Sequence, residues 1–334
     1  MNKTRLALAL SFCTFLRCRE KEQLVEKLDN SESLTVLSIE AVSRMLFRPI
    51  RTTRWHAEEI EKKVDRALVL MERYRIGMVT VLSSRYPPLL RELHEPPFAL
   101  FWRGTLPDPD TPVVAIVGTR APSGTGALCA ERLGREFAGL GIPVASGLAR
   151  GIDAFAHRGT VVSRGKAIAV LACGLERIYP RSNTVLAGKI LENDGCIAGE
   201  YPPGDDPLQF HFPQRNRLIS GLSRSVIVVE APEKSGALIT ADFALEQGRD
   251  LFVARETLGS PRAHGTLSLY NEGAQAVQTA RDVLDSWGFA NNDIPAMTAA
   301  KRRKTPGLGF PASSGGQCDF VFDKGFAGRD GKKQ

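Results

Sequence analysis

The residues of this 334-residue chain best suited to chemistry lie in four loops that set cations and hydroxyls beside glycine. The first reads Gly118-Thr119-Arg120-Ala121-Pro122-Ser123-Gly124. Arg120 offers a planar guanidinium that can hold a phosphate through two parallel hydrogen bonds. Ser123 stands where a helix N-cap would, with the backbone N–H groups of a helix start behind it. In the second loop, Ser146-Gly147-Leu148-Ala149-Arg150-Gly151-Ile152-Asp153, glycines 147 and 151 let the backbone approach a ligand, and Arg150 supplies another anion donor. Asp153 and His157 are spaced to share a helix face, which suits an acid/base pair. An Asp in a first helical turn also serves the helix dipole. The third loop runs through Phe210-His211-Phe212-Pro213-Gln214-Arg215-Asn216-Arg217. Aromatic rings beside arginines are what a single-stranded nucleic acid needs, because rings stack bases while guanidinium groups take phosphates. Within it, Phe210 is expected to plug the sheet and Arg215 to face the ligand. Arg217 has an internal alternative, pairing with Glu200 or Glu230. The fourth loop, Lys234-Ser235-Gly236, makes one more anion-friendly helix start at Ser235 and Gly236.

The elements that must position these loops are read from hydropathy. Val113–Val117 is an unbroken apolar run bounded by Pro112 and Gly118, the signature of a buried central strand of a parallel sheet. Further short apolar runs begin at Pro143, Ala167, Cys196, Ser225, Asp250 and Ala274, separated by helical patterns near 123–139, 151–163, 182–193, 215–222, 236–247 and 265–272. Strands alternating with helices of this length predict an α/β fold, a doubly wound, mainly parallel sheet. In such sheets ligands bind beyond the carboxyl ends of the strands, which is where all four loops fall.

The organisation expected is a small helical N-terminal domain over 1–85, a doubly wound α/β domain over 86–288, which the resemblance described below makes a Rossmann-like DNA-binding domain, and a disordered basic tail over 289–334 holding Lys301-Arg302-Arg303-Lys304. A connector with Pro87-Pro88 and Pro96-Pro97 leads into the sheet as extended chain. Formal net charge is +7, yet residues 105–288 carry 18 Lys and Arg against 20 Asp and Glu. A polyanion would therefore be held by a few placed arginines and not by a broad positive field. Six cysteines without C-x-x-C pairing fit a reducing cytoplasm, with neither zinc nor a disulfide framework. The apolar run Leu6–Leu16 resembles a signal peptide but is followed by Arg17, Arg19 and Lys21 and has no small-x-small cleavage site, so it reads as an ordinary first helix and no membrane association is expected.

A nicotinamide or flavin cofactor is not expected. The spacing G-x-G-x-x-G would need glycines at 120 and 123, where Arg120 and Ser123 stand, and the second strand ends without an acidic residue for a ribose. Dispersed histidines and the lack of a carboxylate cluster give no sign of a metal site.

The motifs Ala115-Ile-Val-Gly-Thr-Arg120, Ser146-Gly-Leu-Ala-Arg-Gly-Ile-Asp153 with Ala156-His157, Ile178-Tyr-Pro180 with Asn183, Phe212-Pro-Gln-Arg-Asn-Arg217, and Lys234-Ser-Gly236 with Thr240-Ala241 resemble the DNA-processing protein A (DprA, or Smf) family over about 86–285. That resemblance implies an extended Rossmann-like fold that binds single-stranded DNA, forms a homodimer and helps load a RecA-type recombinase during transformation or recombination. By motif position it makes Arg120, Ser146, Phe212, Arg215, Asn216 and Arg217 the DNA contacts. The chain departs from the family at Ala254-Arg255-Glu256, where a Pro-Gly turn is usual, at Leu267, where Asn is usual, and in a tail too short for the winged helix that many members carry.

Two other function classes stay open. One is a phosphoribohydrolase-type enzyme that cleaves nucleoside monophosphates beside a Pro-Gly-Gly-x-Gly-Thr loop. Here the equivalent loop, Lys234 to Thr240, lacks that pattern. The other is a sensor that binds a small nucleotide in the same pocket.

Overall fold

Val114–Val117 (β3) is buried along its whole length, and its side chains divide by parity between two cores. Val113, Ala115 and Val117 enter one cluster while Val114 and Ile116 enter the other. This is the pleat of a strand covered on both faces. The computed structural model describes residues 2–31, 34, 36–52 and 55–289. The basic tail therefore lies outside the described residues from 290 onward, Lys301–Lys304 included.

Nine strands form one sheet: β1 (Gly77–Thr80), β2 (Ala99–Gly104), β3, β4 (Val144–Ser146), β5 (Ala167–Val170), β6 (Cys196–Gly199), β7 (Ser225–Val228), β8 (Asp250–Ala254) and β9 (Gln275–Val277). Their spatial order is β1-β2-β6-β5-β4-β3-β7-β8-β9. The pairings from β6 to β9 are parallel, and β2 alone runs against its neighbours, β1 and β6. The fold is thus the doubly wound, mainly parallel α/β sheet that the apolar runs predict.

It is also wider than predicted. β1 falls inside the segment 1–85 assigned to a helical domain, and β2 inside the Pro-rich connector. Both are antiparallel additions to one edge, with Gly77 opposite Trp102 and Phe101 opposite Gly199. The N-terminal helices, Asn2–Phe12, Cys18–Lys27, Ile39–Met45 and Ala57–Tyr74, share the core on one face of this sheet. Leu6, Ala7, Leu8, Ala9 and Leu10 are all fully buried, so the run that looks like a signal peptide is a core helix, apolar all round because it is covered all round. Among the described residues no helix is long and apolar enough to cross a membrane. Five cysteines, at 13, 18, 129, 173 and 196, are buried free thiols, and Cys318 lies outside the described residues.

The helix Gly124–Gly139 that follows β3 packs into one cluster through Cys129, Leu133 and Phe137. The helices His211–Gly221 and Gly236–Glu246, on either side of β7, pack into the other through Leu218, Ala237 and Ala241. Connections leaving neighbouring strands for opposite faces open a crevice between them, here between the ends of β3 and β7.

Candidate nucleic-acid interface

The turn after β3 is tied down from two sides. Thr119 N–H donates to the Glu230 carbonyl at 2.7 Å, and the Thr119 carbonyl accepts from Ile152 N–H at 3.1 Å. The carboxylate of Glu230, itself fully buried, accepts the Ser123 N–H at 2.7 Å. Gly151 meets the same turn with φ +78°, and a Cβ there would lie 2.3 Å from the Thr119 carbonyl oxygen, so only glycine lets the two loops close together. Backbone fixed in this way leaves the Arg120 side chain to project, exposed, into the crevice.

That crevice is a groove of about 420 Å³ lined by Gly118–Arg120, Phe212, Arg215, Asn216 and Lys234–Ala237 among others. The Arg120 guanidinium stands 5.9 Å over the Phe212 ring. Lys234 is exposed on the opposite loop, and neither cation has a carboxylate partner among the described residues. Ser235 caps the helix Gly236–Glu246 by accepting from Ala237 N–H at 3.2 Å. At Gly236 a Cβ would meet nothing within 4 Å, so the positive end of that helix is open to the groove. The site therefore offers two unpaired cations, one helix N-terminus and one aromatic face to a polyanion carrying bases.

Arg215 does something different from what the motif suggests. It is 5% exposed, and its Nη1 donates to the Gly147 carbonyl at 2.7 Å and to the Val170 carbonyl, while Nε donates to Asn216 Oδ1 at 3.2 Å. A Cβ at Gly147 would stand 2.5 Å from that guanidinium, which explains the glycine. Asp153 accepts from the N–H groups of Gly147 and Ala149 at 3.1 and 3.3 Å and balances Arg215 electrostatically. Burial pushes the Asp153 carboxyl up and the Arg215 guanidinium down, and each charge holds the other back. Arg215 thus builds the floor of the groove. Three of its five N–H donors are committed to the fold, so the side chain lies along the groove floor and does not project freely into the groove, while still lining it.

The remaining expected contacts are also sorted by the fold. Ser146 is fully buried and donates to the Ile116 carbonyl at 2.6 Å, and the Ser123 hydroxyl is spent on Gly126 N–H at 3.0 Å. Asn216 ties the groove walls together, donating to the Gly236 carbonyl at 3.1 Å. Arg217 turns away, donating to the Glu95 carbonyl at 2.9 Å and pairing with Glu200, in a separate cleft under the N-terminal helices. Arg150 is exposed but outside the groove. Phe210, expected in the sheet, is 58% exposed. Lys234 escaped the residue-by-residue reading, although a cation immediately before an N-cap at a strand end was its visible signal. Among the described residues no cluster of His, Cys, Asp and Glu could hold a metal ion.

The spacing of Asp153 and His157 allowed an acid/base pair, but His157 is fully buried and neither ring nitrogen has a hydrogen-bond partner. Burial pushes its pKa from 6.5 down to about 4, and the nearby Arg215 charge adds to the fall. The folded state refuses a proton that the unfolded chain accepts below about 6.5. Its contribution to stability is therefore complete above that pH and is lost as pH falls toward 4, by about 3 kcal/mol. Urea midpoints measured across this window should fall for the wild type and fall less for His157→Gln. Equal slopes for the two proteins would place the titration elsewhere.

A protein-family model described as "DNA recombination-mediator protein A" matches residues 77–288. "DNA processing protein DprA" of Bacillus subtilis (strain 168) is 36% identical over 283 residues, covering 84% of this chain and 94% of that protein. The X-ray structure of DNA processing protein A from Streptococcus pneumoniae superposes with a TM-score of 0.66 at 32% identity, over 84% of this chain and 95% of that one. A structure of DNA processing protein A from Helicobacter pylori, described for its single-stranded DNA binding mode, gives a TM-score of 0.56 at 29% identity, over 65% of this chain and 97% of that one.

Proposed function

Because the chain belongs to the DNA recombination-mediator protein A family, we propose that it binds single-stranded DNA in the crevice between β3 and β7 and presents it to a RecA-type recombinase, working as a homodimer. The observation that carries the DNA-binding part is the unpaired Arg120 guanidinium over the Phe212 ring, facing Lys234 and the helix start at Gly236. Phosphates are drawn to the cations and the helix end, and a base can stack on the ring. Nothing in this arrangement reads a particular base edge, so binding tolerates sequence. The relative from Helicobacter pylori, whose structure is described for its single-stranded DNA binding mode, supports the same reading.

The test is fluorescence anisotropy of a labelled oligo-dT strand over a salt series. The logarithm of affinity should fall linearly with the logarithm of salt, with a slope of about −0.7 per phosphate held, and Lys234→Ala should remove about one such increment. A wild-type protein that binds no strand removes the proposal. If mononucleotides displace the strand at comparable concentrations, or are hydrolysed, the groove belongs to the nucleotide-sensor or phosphoribohydrolase class instead. Two features speak against the hydrolytic reading: His157 is fully buried and does not line the groove, and Asp153, which does line it, has its carboxylate engaged by the N–H groups of Gly147 and Ala149.

A further inference from the structure

The Ile178-Tyr179-Pro180 stretch contributes nothing to the crevice itself, yet Tyr179 is 47% exposed and its ring centroid lies 5.2 Å from that of Phe212, tilted by 54°. Arg120, Phe212 and Tyr179 therefore follow one another as a cation and two ring faces leading out of the groove. On the far side Tyr179 forms the rim of a second cavity of about 670 Å³, a volume in the range of small-ligand sites.

Three guanidinium groups, those of Arg103, Arg177 and Arg181, line that cavity. Arg181 is exposed and has no ion pair or side-chain hydrogen bond among the described residues. Arg103 donates one N–H to the Leu175 carbonyl at 3.1 Å and lies over the Tyr74 ring at 5.7 Å, with no carboxylate in contact. Glu176, the carboxylate in the lining, accepts from Gly204 N–H at 3.2 Å and sits 3.6 Å from Arg177, which pairs in turn with Asp206. The cavity is left with the Arg181 fork without a partner among the described residues, the N–H groups of Arg103 beyond the one given to Leu175, and an apolar floor that includes Ile197 and Leu191.

Resting on the strand-binding reading above, the geometry points to a second subsite for the same strand: the DNA leaves the crevice over Phe212, stacks a further base on Tyr179, and sets a backbone phosphate against Arg181 and Arg103. Stacking is sequence-tolerant because every base has a π face, and the guanidinium fork matches a phosphate bidentately. The continuity of the rings is what favours a strand over an isolated nucleotide in this cavity.

The experiment compares dT strands of about 4 and about 12 nucleotides, one at the short end of single-strand site sizes and one well within their range of about 4–16. Tyr179→Ala/Arg181→Ala changes only side chains that are exposed or half-exposed, so the fold should hold, and a thermal melt checks it. The variant should lose about tenfold in affinity for the longer strand, flatten its salt slope by about 0.7, and bind the shorter strand like wild type. Tyr179→Phe should bind both strands normally. A double variant that binds the 12-mer with wild-type affinity and slope overturns the second subsite and leaves the crevice reading standing. A wild type that binds neither strand removes both.

Discussion

Replacing Arg120 and Phe212 together with alanine is expected to lower affinity for an oligo-dT strand by about 10²–10³-fold while the protein stays folded. Stacking of one base on an aromatic ring is worth about 1–3 kcal/mol, and a hydrogen bond to a charged group about 1.5–3 kcal/mol. The two side chains are in contact, so their effects will not simply add. Arg120 is exposed and holds nothing else in place, and Phe212 is half-buried with Tyr179 as its ring partner. Anisotropy titrations at one fixed salt concentration read the affinity, and circular dichroism reads the fold. Near-wild-type binding by a folded double variant would remove the crevice as the DNA site.

Arg215→Ala should produce the opposite pattern, a loss of stability of about 3–5 kcal/mol. Removing the guanidinium orphans the carbonyls of Gly147 and Val170 and strips Asp153 of its balancing charge inside the protein. Arg215→Lys should recover little of this, because one ammonium on a flexible stem cannot reproduce a fork that reaches two carbonyls and the Asn216 amide. Urea unfolding monitored by tryptophan fluorescence gives the midpoint, and an unchanged midpoint for Arg215→Ala would refute the assignment. Two arginines of similar standing in the motifs are thereby separated by experiment, Arg120 through affinity and Arg215 through stability.

The seven strands from β3 to β9 were legible in the sequence because each is a short apolar run closed by glycine, proline or a charged residue, a signal that neighbouring residues generate by themselves. The same locality made the chemistry of the loops visible: a cation at a strand end, a serine at a helix start, aromatics beside arginines. Assignment of direction was not local. Arg215 and Arg217 are two residues apart on one helix, and at 3.6 residues per turn their side chains diverge by roughly 200°. One is drawn down onto the carbonyls of β5 and the loop after β4, the other out toward Glu200. No neighbour in sequence distinguishes them, because the partners that do are contributed by Gly147, Val170, Glu95 and Glu200.

β1 and β2 were hidden for a related reason. Their pairing joins residues 77–80 to 99–102, and 101–104 to 196–199, across a connector whose prolines obscure any strand pattern, so the ladder exists only once the edge of the sheet is there to receive it. The first helix shows the limit in its plainest form. An apolar run from Leu6 onward is dictated by composition alone, but whether such a run is a leader segment or a buried core helix depends on what covers it. Here the helix Ala57–Tyr74 supplies the cover, anchored by Arg5 to Glu61 and Asp65. Residue types and their spacing thus determined where strands, helices and reactive side chains occur. Long-range packing decided which of those side chains are left without protein partners and which are consumed in holding the fold, because burial and partner supply are properties of the assembled chain.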